Sequence, residues 1–436
     1  MKISLFQGIL FGVFGLAALV GIFVFATHSS TSTGGSQAVG TVVIWGTLPK
    51  ENMQTALIAV TQSNPSLKNV SYIQKNPDTL PDDLASAIAT GNAPDLVLAS
   101  QEELQSLAKL ITPIPLSLVS PSAFTSTFIE GGGLFTVPNA GGYYGIPFMV
   151  DPLVLFSNRS ILSSNGIAKP PTTWEALTGL VPTIALLTPT KQITRGLIAF
   201  GTYDNVHDAR AILSSLFLQT GVPMSSYSNG ALVANLSGTS ASGGTQPGQA
   251  VLNFYTQFAD PSKVSYTWNA SLPDSQQSFL AGDLALYIGY ASESRFLTAA
   301  NPNLDFIMTP LPQPATANFK NVYGLIYAFM IPRGAKNASG AYQAAALLTS
   351  STAQTAAAPV LGLAPATLTP LATLPTDPSA AIAYREALYT HGWLSPAPAD
   401  TNAIFSSMIS SVISGRLTPD RALTSSESSL TALLQK

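Results

Sequence analysis

Residues 41–110 read TVVIWGTLPKENMQTALIAVTQSNPSLKNVSYIQKNPDTLPDDLASAIATGNAPDLVLASQEELQSLAKL. Thr41-Val-Val-Ile-Trp45 is a short β-branched run closed by Gly46, the pattern of a buried strand. Lys50 to Asn64 carries Met53, Leu57, Ile58 and Val60 as its apolar positions and is read as a helix. Val70 to Ile73 is a second strand. Pro81 to Thr90 puts Leu84, Ile88 and its alanines on one helical face, and Gly91 suits the C-cap. Asp95 to Leu98 is a third strand and Gln101 to Leu110 a further helix. This alternation argues for an α/β fold: a mostly parallel sheet with helices on both faces.

Downstream the texture changes. A Gly/Tyr-rich stretch, 140–144, leads into Gly145-Ile-Pro-Phe-Met-Val-Asp151 and then Leu153-Val-Leu-Phe156. Thr173 is a candidate N-cap for a helix beginning Trp174-Glu-Ala-Leu. Residues 208–220, 250–258, 275–281, 341–348, 401–413 and the stretch after Pro419 are read as helices, 284–288 as a strand and 236–249 as a surface loop.

Upstream, Ile3 to Thr27 contains no charged residue, long enough for the ~20 apolar residues that span a bilayer as a helix. Lys2 precedes it and nothing basic follows until Lys50, so the positive-inside rule leaves the N-terminus in the cytoplasm and exports the rest. Phe25-Ala26-Thr27 is a poor cleavage site. Residues 1–28 are therefore expected to be an uncleaved transmembrane anchor, with a cleaved signal peptide the competing reading. Residues 29–40 are a Gly/Ser/Thr linker.

Composition narrows the function. Lys plus Arg number 19 and Asp plus Glu 22, a net charge of −3. No basic excess exists for nucleic acid. Charged residues are only 9%, against a usual ~25%, which favours a neutral ligand over an acidic or phosphorylated one. There is no Cys, which removes disulfides, thiolate metal sites and a Cys nucleophile. The three histidines are His28, His207 and His391, too few and too scattered for an ordinary zinc site, and no metal or cofactor is expected. No Gly-x-Ser-x-Gly or His-Glu-x-x-His motif occurs.

Seven segments, in order, resemble the extracellular solute-binding proteins of ATP-binding-cassette importers, in particular the sugar-binding family that includes maltose-binding protein. They are Val42-Val-Ile-Trp45; Ala87-Ile-Ala-Thr-Gly-Asn-Ala-Pro-Asp95; Tyr144-Gly-Ile-Pro147 through Asp151 to Ser157-Asn158-Arg159; Pro171-Thr-Thr-Trp-Glu175; Phe279-Leu-Ala-Gly-Asp-Leu-Ala-Leu286; Leu304 to Pro312; and Gly415-Arg-Leu-Thr-Pro-Asp-Arg-Ala422. The chain departs from the pattern in lacking the lipid-attachment Cys, in Ser157 where the family has Tyr, and in Tyr290 falling early with Ser292 and Glu293 after it.

The resemblance implies a two-lobed, periplasmic-binding-protein-like (type II) fold with a ligand cleft between the lobes. It implies lobe 1 from 41–151 with 306–340 returning to it, and lobe 2 from 152–305 with 341–436 returning. Crossings are expected near Asp151, near 306–311 and near 337–345. It implies a monomeric, non-enzymatic receptor that binds a carbohydrate and docks on the transmembrane subunits of an importer. A sensor or adhesion receptor on the same fold is the alternative, and an exported glycan hydrolase a remoter one.

Ligands in such sheets bind at the carboxyl ends of strands. Sugars take aromatic faces and bidentate polar groups. The candidates are Thr47 after Gly46, Gln101 after Ser100, Asp151 on the first crossing, Tyr203, Asp204 and Asn205 after Leu197–Phe200, Tyr290 and Glu293 after 284–288, and Tyr323 beside Gly324. Asp95 is read instead as a turn or cap carboxylate, Trp45 and Trp174 as core, and His207 as a local cap or pair. Trp268 and Trp393, in polar loops, are open between cleft wall and surface packing.

Overall fold

The computed structural model describes residues 39–238 and 246–435. The expected anchor or signal and most of the linker lie outside these residues, as do 239–245 of the expected surface loop. Among the described residues no helix is long and apolar enough to cross a membrane.

Thirteen strands are named in chain order: β1 Val42–Gly46, β2 Val70–Gln74, β3 Leu96–Ser100, β4 Gly145–Asn158, β5 Leu186–Leu187, β6 Ile193–Ile198, β7 Ser225–Ser228, β8 Ala231–Ala234, β9 Leu284–Tyr290, β10 Phe306–Pro310, β11 Val322–Met330, β12 Ala364–Pro365 and β13 Thr390–His391. The main sheet path is β2-β1-β3-β11-β4-β9-β6-β5. β1 lies parallel between β2 and β3, as the alternation of 41–110 requires.

β4 decides the architecture. Its fourteen residues are all buried. Gly145 to Pro152 pair antiparallel with β11, and Met149 and Val150 also with β12. From Leu153 the partners change: β9 takes Leu153–Ser157 on one side and β10 takes Val154–Asn158 on the other. One strand thus closes the sheet of each lobe in an α/β two-lobed fold, with the change of partners at Asp151–Leu153, where the first crossing was expected.

For the later crossings we propose other places. β10 pairs with the second half of β4, so we place the second crossing at 311–321, after the strand. The third was expected near 337–345, but Ala338–Leu348 packs on β1 and β4, and Ser351–Leu361 packs closely on Lys50–Ser63. Their small buried residues, Ala341, Ala344, Ala345, Ala353, Ala357 and Ala358, allow that close approach. β13 then pairs with the start of β11, and Pro398–Ile413 and Pro419–Leu434 pack on each other and on Pro247–Thr256. We place the return to the second lobe near 390 rather than 341.

Local chemistry sets the element ends. Ser100 accepts from Glu102 N at 3.2 Å while Glu103 Oε2 accepts from Ser100 N at 2.9 Å, a capping box that starts a helix at the end of β3. Thr173 Oγ1 accepts from Ala176 N, the cap read from the sequence. The β7–β8 hairpin, not read from the sequence, turns on Asn229-Gly230, both at positive φ (50° and 82°), as a type I′ turn demands. Asp95 joins strand to helix: Oδ2 accepts from Val43 N and Oδ1 from Asn337 N, each at 2.9 Å.

Lys320, on the second crossing, pairs with the fully buried Glu386 and sits 4.7 Å from the Tyr389 ring centre. Burial raises the Glu386 carboxyl pKa, and Lys320 opposes that rise. Removing the cation strands a buried carboxylate, at a cost of about 3 kcal/mol. Lys320→Met is expected to lower the melting temperature by several degrees, and adding Glu386→Gln to recover most of the loss; thermal unfolding of both variants checks this.

Candidate functional site

The site is assembled where strand ends of both lobes face the first crossing. From the first lobe, the helix Gln101–Leu107 presents Glu102. From the second, the loop after β6 leads to the helix Ala209–Leu218 and presents Arg210. Arg210 Nη2 donates to Glu102 Oε2 at 2.7 Å, and the Tyr323 hydroxyl, from β11, donates to Glu102 Oε1. Tyr323 is held in turn by its own N–H on Ser215 Oγ at 3.2 Å. Tyr290 and Tyr203 lie in the field of the same Arg–Glu pair.

A second group adjoins it. Glu293 Oε1 accepts from Tyr290 N at 2.6 Å, and Oε2 accepts from the Tyr287 hydroxyl at 2.5 Å and Gln276 Nε2 at 2.7 Å. Gly289 makes this possible: a Cβ there would stand 2.5 Å from Glu293 Oε1 and 2.7 Å from the Tyr287 ring. Asp151, on β4, is buried and its Oδ1 accepts from Ser292 N at 3.0 Å. Asp208, in the left-handed region at φ 54°, caps Ala209–Leu218 by position and faces Glu293 and Asp151.

Burial raises the Asp151 carboxyl to about 7, against its hydrogen bonds to Ser292. Burial, then the charge of Glu293, pushes Asp208 well above the carboxylate range. Burial, then Glu102, takes Glu103 to about 7. Ligand atoms of His207, Asp208 and Glu293 lie within 4.8 Å of one another. Both Glu293 oxygens already accept from three donors, which leaves the trio little capacity for a metal ion.

The sequence candidates divide. Asp151, Tyr203, Tyr290, Glu293 and Tyr323 are brought together. Gln101 is fully buried and spent on β11, with Nε2 donating to Gly324 O at 2.9 Å and Oε1 accepting from Ile326 N at 2.7 Å. Asn205 pins its loop: Oδ1 accepts from Thr202 Oγ1, and Nδ2 donates to Asn269 O and Leu272 O. Asp204 is exposed and accepts from Ser406 Oγ at 2.8 Å. Thr47 sits half-buried at the end of β1, its N–H on Leu98 O.

Glu102, Asp208 and Arg210 were missed. Their signal was present: Asp208 and Arg210 are two charges opening an otherwise apolar helix, and Glu102 directly follows a candidate.

The tryptophans also settle. Trp174 is core, with Nε1 donating to Gln219 Oε1 at 2.6 Å. Trp45 is half-buried instead, under the Lys75 ammonium at 3.9 Å. Trp268 and Trp393 are neither cleft wall nor surface: both are buried, Trp393 with Nε1 on Ser214 Oγ and its ring against Phe405. His207 Nδ1 is 3.8 Å from Asp274 Oδ2, a partner distant in sequence rather than the local one expected.

The raised carboxyls fix a pH dependence. Each is accommodated without cost while protonated, below about pH 4. Stability is then lost as pH rises toward 7, where Asp151 and Glu103 titrate in the folded state. The Asp151 shift alone corresponds to roughly 4 kcal/mol. Denaturant unfolding is expected to show stability falling between about pH 4 and pH 7 and levelling above it, and Asp151→Asn to flatten part of that fall. An unchanged slope in the variant would assign the dependence elsewhere.

The protein can now be set beside known ones. No curated protein matches it in sequence. The cyclic alpha-maltosyl-1,6-maltose binding protein from Arthrobacter globiformis is similar in structure, with a TM-score of 0.72 at 17% identity over 91% of this chain and 99% of its own. A cyclo/maltodextrin-binding protein complexed with maltotetraose gives 0.70 at 15%, over 93% and 99%. The GacH receptor of Streptomyces glaucescens gives 0.66 at 16%, over 91% and 98%. At these identities the likeness is one of fold. The profile of the bacterial extracellular solute-binding proteins matches residues 61–381, most of the chain. The chain belongs to the bacterial extracellular solute-binding protein family.

Proposed function

We propose that this protein captures a carbohydrate in the cleft between its lobes and delivers it to an ATP-binding-cassette importer. The observation that carries the reading is the meeting of Tyr203, Tyr290 and Tyr323 with Glu102, Asp151, Asp208 and Arg210 at the β4 crossing. Phenol rings offer flat apolar faces to a pyranose, and carboxyls and a guanidinium offer the paired hydrogen bonds its hydroxyls need. Four carboxyl groups, with Glu293 the fourth, stand against one guanidinium that Glu102 already neutralises. That balance disfavours an anionic solute and agrees with the low overall charge. Structural neighbours are described with maltotetraose and with mannobiose bound, which supports the same class.

In this reading the lobes close over the solute by bending at the crossings. Ile3 to Thr27 tethers the receptor to the membrane, with the linker giving it reach. Its role is capture and release, without turnover, as a monomer docking on permease subunits.

Thermal unfolding of the purified protein against mono- and oligosaccharides, with amino acids and peptides as controls, tests the reading. One glycan is expected to raise the melting temperature by several degrees, since a solute at ~100 times its Kd adds about 2.7 kcal/mol. A shift with a control and none with any sugar would overturn the carbohydrate assignment. Turnover of a labelled glycan, abolished by Asp151→Asn, would overturn the non-enzymatic one.

A further inference from the structure

Among the described residues, six buried side-chain polar atoms have no hydrogen-bond partner in the protein, and three of them lie in one helical turn. Arg210 gives Nη2 to Glu102, but its Nε and Nη1 are screened from solvent and donate to nothing. Asp208 Oδ2, two residues earlier, is in the same condition. The other three atoms, on Ser157, Trp268 and Glu386, are scattered through separate parts of the molecule. A buried, unpaired polar group is costly, and more so when charged. Cost concentrated on two neighbouring residues at the lobe junction marks a place prepared for something else.

We propose that Asp208 and Arg210 form the polar seat of the bound solute, and that the seat takes a neutral, hydroxyl-rich molecule. The proposal rests on the solute-capture reading above and specifies its chemistry. Arg210 Nε and Nη1 donate to two oxygens of the solute, and Asp208 Oδ2 pairs with a hydroxyl. The groups around the seat select against an anion: Asp151 from β4, Glu293 and the hydroxyls of Tyr287 and Tyr290 from β9 and its following turn, Glu102 and Tyr323 from the first-lobe side, with His207 adjoining. Glu102 already meets the charge of Arg210, so Arg210 serves as a donor. Because Glu102 comes from the first lobe and Arg210 from the second, the donor is aimed only when the lobes are together. A solute in the seat therefore favours the closed arrangement.

Two measurements on the purified protein test this. The first is calorimetric titration with the best sugar from the unfolding panel and with its uronic-acid counterpart. The double variant Glu102→Gln/Arg210→Met, which leaves no uncompensated charge, is expected to weaken binding by roughly 30-fold or more, and Asp208→Asn by roughly 10-fold. The uronic acid is expected to bind more weakly than the neutral sugar. The second is thermal unfolding of the solute-free variants. A seat held at the expense of stability predicts melting temperatures within about 2 °C of the parent, or higher. Affinity within about 3-fold of the parent for both variants would overturn the seat. So would a fall of more than about 5 °C in both, which would make the two residues structural. Tighter binding of the uronic acid, lost with Arg210, would overturn the neutral class. If no sugar binds the parent, the carbohydrate reading and the hydroxyl-rich class fail together, and the solute-free melting still decides whether the pair is structural.

Discussion

A single buried strand holds this molecule together and also divides it. β4 must satisfy backbone groups on both edges along fourteen residues, because no water reaches them. It does so by borrowing partners from two sheets. Pro152 sits at the exchange, and as a proline it has no N–H to leave unpaired there. Everything else follows from that exchange: two lobes that share one continuous core through β4, a junction between them, and strand ends from both sides aimed at one place. The candidate groups sit at that junction because it is where the two sheets bring their strand ends together.

The junction is rich in charge for a protein so poor in it. Each charge there is handled differently. Glu102 has a guanidinium and a phenol. Glu293 has three donors and a glycine that makes room for them. Asp151 has a backbone N–H and takes a proton near neutrality. Asp208 lacks a partner for its Oδ2, and burial, then the charge of Glu293, pushes its carboxyl up. This graded set lets one small volume hold four carboxyls without mutual repulsion unfolding it. The acidity of the medium is therefore part of the structure of the site.

How much of this was legible in the sequence depends on how local the cause was. The strand–helix alternation of 41–110 and the Thr173 cap rest on short-range pattern, and each could be read directly, whereas the crossing near Asp151 was implied only by the family resemblance. Asn229-Gly230 is an equally local signal, that of a two-residue hairpin turn. The third crossing was not local: alanine-rich 338–361 resembles any helix pair, and only packing against Lys50–Ser63 shows which lobe it serves. The site divides in the same way. Candidates chosen by position, Asp151, Tyr290 and Tyr323 among them, gather at the junction. Gln101 and Asn205 had the right position but are spent on backbone groups, which spacing does not reveal. Glu102 and Arg210 became meaningful only as a pair 108 residues apart in sequence.

Gly289 bears on how such a receptor changes its taste. A side chain at that position would have to displace Glu293 or Tyr287, so the turn behind Glu293 cannot be remodelled without disturbing its hydrogen bonds. Room for variation lies around the half-buried Tyr203. Descendants of this chain would therefore alter the outer reach of the solute they accept sooner than the groups at its centre.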